Sequence, residues 1–316
     1  MAHTPRPRRP RKAPHGRPSG GRDSKHAEGE RSNSERRGRS HGASQGPRPF
    51  TSKPGTSKPS ASKPRDTTRV PSVAVSRDDL LARVLHRDAL IIVINKPAGI
   101  PVHAGPGGGP NLEELFDVLR FGLPRPPSLA HRLDRDTSGC LVLGRHPKAL
   151  RKAGAMFAAG RARKTYWAVV EGVPKKSEGL ITHALRKATP GKGWKMVTTS
   201  PGHPHGQEAI TAYKVRGTAV TPHGTRSWIE CEPKTGRTHQ IRVHLAEIGC
   251  PIVGDPVYGR ASSPTAGNDT PEPLHLHARA ISLPLSPSRP PIVVTAPVPD
   301  HMRAALAACG YEEKKS

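Results

Sequence analysis

The chain has 316 residues with 51 Lys+Arg against 25 Asp+Glu, a formal charge of +26, which suits a polyanionic partner and disfavours an acidic one. No apolar run approaches the roughly 18 residues of a membrane span, and the N-terminus lacks the apolar core of a secretory signal, so a soluble, cytoplasmic protein is expected, with no membrane partner. Four cysteines form no C-x-x-C pair, and the pairs His203/His205 and His275/His277 offer only two ligands each, so neither a disulfide framework nor a metal is expected.

Residues 1–77 carry 19 Lys+Arg and 5 Asp+Glu, a net of +14, with a single aromatic residue, Phe50, and the short repeat TSKPGTSKPSASKP. Such a segment buries too little apolar surface to offset its ordering entropy, which predicts a disordered tail. Its charges read either as a solvated tail or as an electrostatic tether for RNA. The prolines and the acids Asp23, Glu28, Glu30 and Glu35 count against an amphipathic transit helix.

Apolar periodicity begins near Asp78, and residues 78–316 suffice for one domain with its own core. LIIVIN (Leu90–Asn95) reads as a buried strand closed by Lys-Pro-Ala-Gly, GPGGGP as a flexible loop, and Asn111 as a helix start. The glycine loop lacks the Gly-Lys-Ser/Thr ending of a P-loop and the spacing of a dinucleotide fingerprint. CLVLGR reads as a strand and Pro147–Ala159 as a helix. TYWAVVEG, GLITHAL, WKMVTTS, EAITAYKV, TRSWIECEP and HLHARAISL read as strands, and His239–Glu247 and Met302–Cys309 as helices. Many strands with few helices predict an α+β domain with a mixed or antiparallel sheet.

The most informative stretch is HRLDRDTSG, His131–Gly139. It sets Asp134 between a short apolar lead-in, SLAHRL, and the CLVLGR strand, with TSG permitting a tight turn and close backbone approach. Such an acid is either a catalytic carboxylate on rigid scaffold or a turn cap paired with Arg132 or Arg135.

This stretch resembles the signature of the RluA branch of the pseudouridine synthases. Three other segments resemble that family in the same order: LIIVINKPAGIPVHAG, KTYWAVVEG and EPKTGRTHQIRVHLAEIGCPIVGDPVYG. The resemblance implies a long curved sheet with a central active-site cleft, RNA as partner, and isomerisation of uridine to pseudouridine in ribosomal or transfer RNA with no cofactor and no metal. It makes Asp134 the catalytic carboxylate, either as a nucleophile at C1′ or as the base that takes the C2′ proton. Tyr166 becomes the ring that stacks on the target base, and Arg242 the basic residue paired with Asp134. His131, Arg132 and Arg237 are the expected substrate contacts: Arg132 fills the gap left by a flipped nucleotide, and Arg237 lies in a Gly-flanked turn suited to phosphate. Trp167 falls on the opposite strand face from Tyr166 and reads as structural. The S4 module that some members carry has no counterpart in the Pro/Arg-rich segment, and a monomer is expected.

Two other classes stand beside this reading. A noncatalytic RNA-binding or ribosome-assembly protein would show a broken active-site set, whereas Asp134, Tyr166 and Arg242 are all present. A glycosidic hydrolase would need Asp134 and Asp136 to converge on one bond.

Overall fold

The computed structural model describes residues 74–105, 108–188, 195–222, 224–259 and 272–313. The expected disordered tail lies outside the described residues as far as residue 73. The boundary drawn between 77 and 78 runs through a helix, α1 (Arg77–Ala82), whose N-cap Ser76 accepts the Asp79 N–H at 3.0 Å. The Asp79 carboxylate in turn accepts the Ser76 N–H, a reciprocal cap.

The strands are β1 (Val84–Arg87), β2 (Ile91–Lys96), β3 (Ser128–Leu129), β4 (Ser138–Gly144), β5 (Arg163–Glu171), β6 (Glu178–Ile181), β7 (Ala184–Lys187), β8 (Met196–Thr199), β9 (Thr211–Thr221), β10 (Gly224–Pro233), β11 (Leu276–Leu283) and β12 (Ile292–Thr295). The other helices are α2 (Pro147–Ala158), α3 (Gln240–Glu247) and α4 (Asp300–Ala308). Ten strands form one sheet in the order β1-β2-β4-β11-β5-β10-β9-β6, with β12 on β11 and β3 on β4. Every pairing is antiparallel except β4 with β11, so the sheet is mixed and the domain α+β.

Several segments differ from the sequence reading. The helix expected at Asn111 is a 3₁₀ segment, Leu112–Leu119, because the Asn111 amide donates to Glu114 Oε1 at 2.6 Å and caps no backbone N–H. GLITHAL is two strands, β6 and β7, in different sheets. The break falls where His244 of α3 bonds the His183 carbonyl at 2.9 Å, drawing the chain off the main sheet to pair β7 with β8. VLHR and IVVT, short and irregular in pattern, are edge strands β1 and β12.

Both faces of the sheet are covered, which explains why β2 and β4 read as continuous apolar runs rather than alternating ones. Ile92, Ile94, Leu141 and Leu143 pack on one face against Leu112, Phe116 and Leu119 of the 3₁₀ segment. Ile91, Val93, Cys140 and Val142 pack on the other with Met156 of α2. Further along, Ala168, Val170, Ile229 and Cys231 meet Ile241 and Leu245 of α3, while Val169 and Trp228 meet Met302 and Leu306 of α4. The ring of Tyr166 packs against both the 3₁₀-segment cluster and the α3 cluster, so it marks their junction. Trp167 turns to the opposite face, edge-on to Trp228 and Tyr311.

Gly139 opens the parallel contact between β4 and β11. Its φ is +105°, and a Cβ there would lie 2.3 Å from the Ala278 carbonyl oxygen, a backbone atom that cannot swing aside. Gly139→Ala is therefore expected to cost on the order of 3 kcal/mol. Gly154→Ala in α2 meets nothing within 4 Å and should be neutral or stabilise by up to about 1 kcal/mol through helix propensity. Denaturant titration of the two variants checks this; equal stabilities would contradict the close approach.

Candidate active site

A cleft of about 360 Å³ opens at the junction marked by Tyr166. Its walls are the β3–β4 loop, β5, the end of α2, and the turn from Pro233 into α3. Asp134, Tyr166, Arg242, His131, Arg132 and Arg237, drawn from segments more than a hundred residues apart, all line it. Asp136 does not; its carboxylate lies 3.7 Å from Arg135 Nε. The two acids that a hydrolase would need do not converge.

The loop that carries Asp134 is fixed through its backbone. Thr137 N–H donates to the Asp134 carbonyl at 3.2 Å, and Gly99 N–H to the Arg135 carbonyl at 3.0 Å. Lys96, wholly buried at the end of β2, donates Nζ to the same Arg135 carbonyl at 2.8 Å and to the Pro97 carbonyl at 2.7 Å. Burial pushes its ammonium down to about 7, while the carboxylates of Asp136 and Asp134 oppose that shift.

On the other side of the loop, β3 ends after two residues and would leave the Val142 N–H of β4 without a strand partner. His131 Nε2 accepts it at 3.0 Å, and burial, with the Lys164 charge second, pushes the imidazole down to about 4. A substrate contact was expected of His131. Its acceptor nitrogen is instead committed to the sheet, and the ring holds the loop.

Tyr166 projects into the cleft from β5, and burial followed by the charge of Asp134 raises its phenol well above the usual range. Lys164, two residues earlier on the same strand face, bonds the Thr235 carbonyl at 3.3 Å. Arg132 and Arg237 are exposed at the cleft mouth. The Arg237 turn is shaped by Gln240, whose Oε1 accepts the Arg237 N–H at 3.0 Å and the Thr235 hydroxyl at 2.7 Å, while its Nε2 donates to the Ile210 carbonyl at 3.0 Å.

Arg242 does not pair directly with Asp134 as the resemblance implied. Its guanidinium forks onto Asp255, Nε to Oδ2 and Nη2 to Oδ1, both at 2.7 Å, with side chains 3% and 0% exposed. Asp255 sits thirteen residues on in a tight turn and also accepts the Val257 and Tyr258 N–H groups, so its geometry matches a planar fork better than the half-buried Asp134 does. Burial opposes its charge, yet the Arg242 fork and these two N–H groups hold the Asp255 carboxyl below the usual range. Facing Asp134 is His239, with Nε2 3.9 Å from Oδ2. His239 lies at φ +54°, a left-handed conformation ahead of α3, and burial pushes its ring down to about 4 against the pull of Asp134.

Asp255, His239, Tyr258 and Lys96 were not singled out from sequence. Asp255 carried one legible signal: it is the lone acid in the apolar segment Ile248–Gly259, and a buried arginine in α3 requires an acid partner. Among the described residues no group of three or more His, Cys, Asp or Glu is arranged to hold a metal.

Burial lowers His131, His239 and His277 to about 4 in the folded state. The unfolded chain, with histidines near 6.5, then binds more protons below that pH, so stability is full above 6.5 and declines as pH falls toward 4. We expect a loss of about 1 kcal/mol per histidine between pH 6.5 and 5, where ordinary carboxylates remain charged. Denaturation midpoints measured across pH 5–7 check this, and a flat profile would contradict neutral burial of the three rings.

Comparison with known proteins agrees with this architecture. Residues 90–247 match the family described as RNA pseudouridylate synthase. An uncharacterized RNA pseudouridine synthase of Zymomonas mobilis subsp. mobilis is 42% identical over 222 residues, spanning 70% of this chain and 95% of that protein. The ribosomal large subunit pseudouridine synthase D of the same organism is 36% identical over 193 residues, 58% of this chain and 57% of that one. The solved structure of human RNA pseudouridylate synthase domain containing 4 matches with a TM-score of 0.61 at 27% identity, covering 76% of this chain and 97% of that one. The motifs, the mixed sheet and the cleft thus have one common source: the chain belongs to the RluA-type family of RNA pseudouridine synthases, isomerases that act on RNA.

Proposed function

We propose that this chain isomerises particular uridines of ribosomal or transfer RNA in the cytoplasm, with Asp134 as the catalytic carboxylate. The observation that carries this is the shared cleft of Asp134 and Tyr166, close enough that the carboxylate charge raises the phenol. Four buried free thiols accord with a reducing compartment.

A uridine flipped from its stack would enter the cleft, with exposed Arg132 filling the vacated position and Arg237 meeting a phosphate. Asp134 then attacks C1′, or removes the C2′ proton to give a glycal; either route breaks the N1–C1′ bond. The uracil, held on the Tyr166 ring, turns until C5 faces the sugar. The C5–C1′ bond forms as the Asp134–C1′ bond breaks or, on the glycal route, as Asp134 returns its proton to C2′; the C5 proton leaves and N1 gains one, so atoms balance with no other reactant. Because Tyr166 is protonated, its hydroxyl assists the C5 proton loss as a relay, accepting one proton as it gives up its own, and not as a standing phenolate.

Pseudouridine mapping of total RNA with and without the gene names the modified site; an unchanged map overturns the assignment. Asp134→Asn, nearly isosteric, is expected to lower turnover by at least about 10³-fold while RNA affinity stays within about twofold. Substantial turnover by the purified variant would sink the mechanism. Tyr166→Phe keeps the stacking face, so it should still cleave the glycosidic bond but stall before C5 proton loss. Trapping an RNA adduct on a denaturing gel reads this, and full turnover would confine Tyr166 to stacking.

A further inference from the structure

One tyrosine in the turn after α3 has a hydroxyl used in two directions. Tyr258 Oη accepts the Met196 N–H at 2.9 Å and lies 2.9 Å from His239 Nδ1, with the two rings nearly perpendicular. The hydroxyl has one proton. The oxygen keeps a second lone pair, so the direction of this bond is set by the His239 tautomer, and the hydroxyl proton points to Nδ1 when that nitrogen is bare. A neutral imidazole that accepts at Nδ1 carries its own proton on Nε2, the nitrogen 3.9 Å from Asp134 Oδ2. The opposite tautomer would set an imidazole lone pair against a carboxylate oxygen.

The placement of His239 is costly, which argues that it is retained for a purpose. It is one of two non-glycine residues at positive φ among the described residues, and backbone strain of this kind persists where the surroundings over-determine it. Here the surroundings are Tyr258 and the Asp255 turn, since Asp255 Oδ1 takes the Tyr258 N–H at 3.0 Å and the Arg242 guanidinium lies 5.1 Å over the tyrosine ring.

We propose that Tyr258 and His239 are positioning residues that orient Asp134: Tyr258 donates to the bare His239 Nδ1, and the Nε2–H faces one carboxylate oxygen, leaving the other for the ribose. The inference rests on Asp134 being the catalytic carboxylate. No proton passes to Asp134 in this arrangement. The separation of 3.9 Å is too long for a direct hydrogen bond, so the contact shortens, or is bridged by water, when RNA fills the cleft.

The test uses the full chain and C5-tritiated total RNA from cells lacking the gene, since isomerisation releases the C5 hydrogen. Tyr258→Phe keeps the ring and loses the hydroxyl; it should lower kcat by about tenfold or more with KM within about twofold. His239→Gln supplies an amide N–H that has no tautomer to select, so in that background Tyr258→Phe should change kcat by less than about threefold. Equal losses in the two backgrounds, or an unchanged kcat in Tyr258→Phe alone, overturn the proposal.

Nitrogen-15 NMR of histidine-labelled wild-type protein, with the His239 signals identified by their loss in His239→Gln, should show Nδ1 bare and Nε2 protonated; the reverse overturns the proposal whether or not the variants fold. Asp134→Asn separates the two claims. Tritium release by that variant would overturn the catalytic reading itself, whereas an inactive Asp134→Asn beside an unimpaired Tyr258→Phe would overturn the orienting role alone.

Discussion

The buried fork between Arg242 and Asp255 is the interaction on which the cleft depends. Desolvating two charges costs several kcal/mol per ion, and the pair is tolerable because its geometry is bidentate and Asp255 has two further N–H donors. Removing one partner would strand the other, with an expected penalty of about 3–5 kcal/mol. The fork joins the first turn of α3 to the turn ending at Gly259, and through that turn it sets Tyr258, then His239, then the approach to Asp134. The floor of the cleft is therefore held by one ion pair and a chain of hydrogen bonds rather than by apolar packing alone.

Asp134 sits across from this floor on a loop fixed by its backbone and not by its carboxylate. Lys96 and Gly99 fasten the Arg135 carbonyl, His131 fastens β4 beside the loop, and Gly139 allows β4 to lie against β11 at contact distance. These restraints act on peptide groups and leave the side chain uncommitted to structure. The catalytic role proposed for Asp134 benefits from that division, because rigid scaffold positions the carboxylate without occupying its oxygens.

What was legible in the sequence was local. HRLDRDTSG and KTYWAVVEG each set a candidate side chain beside a strand whose pattern is plain, and the fold brings Asp134 and Tyr166 to one cleft. Arg242 lines the same cleft but pairs with Asp255 rather than Asp134, a choice made by the turn around Asp255, which no periodicity encodes. The parallel pairing of β4 with β11 joins Ser138 to His277 across 139 positions, and the division of GLITHAL depends on His244 in a helix 61 positions from His183. Long-range choices of this kind are settled by packing and hydrogen-bond satisfaction, not by local propensity.

The choice of partner for Arg242 bears on reactivity. Had the guanidinium forked onto Asp134, both carboxylate oxygens would be held in charge-assisted hydrogen bonds that must break before either oxygen reached a sugar carbon or proton. By neutralising Arg242 locally, Asp255 reduces that attraction, although the cation still acts on Asp134 at longer range. Asp134 then lies 3.9 Å from His239 Nε2, too far for a direct hydrogen bond, and near the buried Lys96, with neither clamping its oxygens. A carboxylate free of a bidentate clamp is the form that either proposed route through C1′ or C2′ requires.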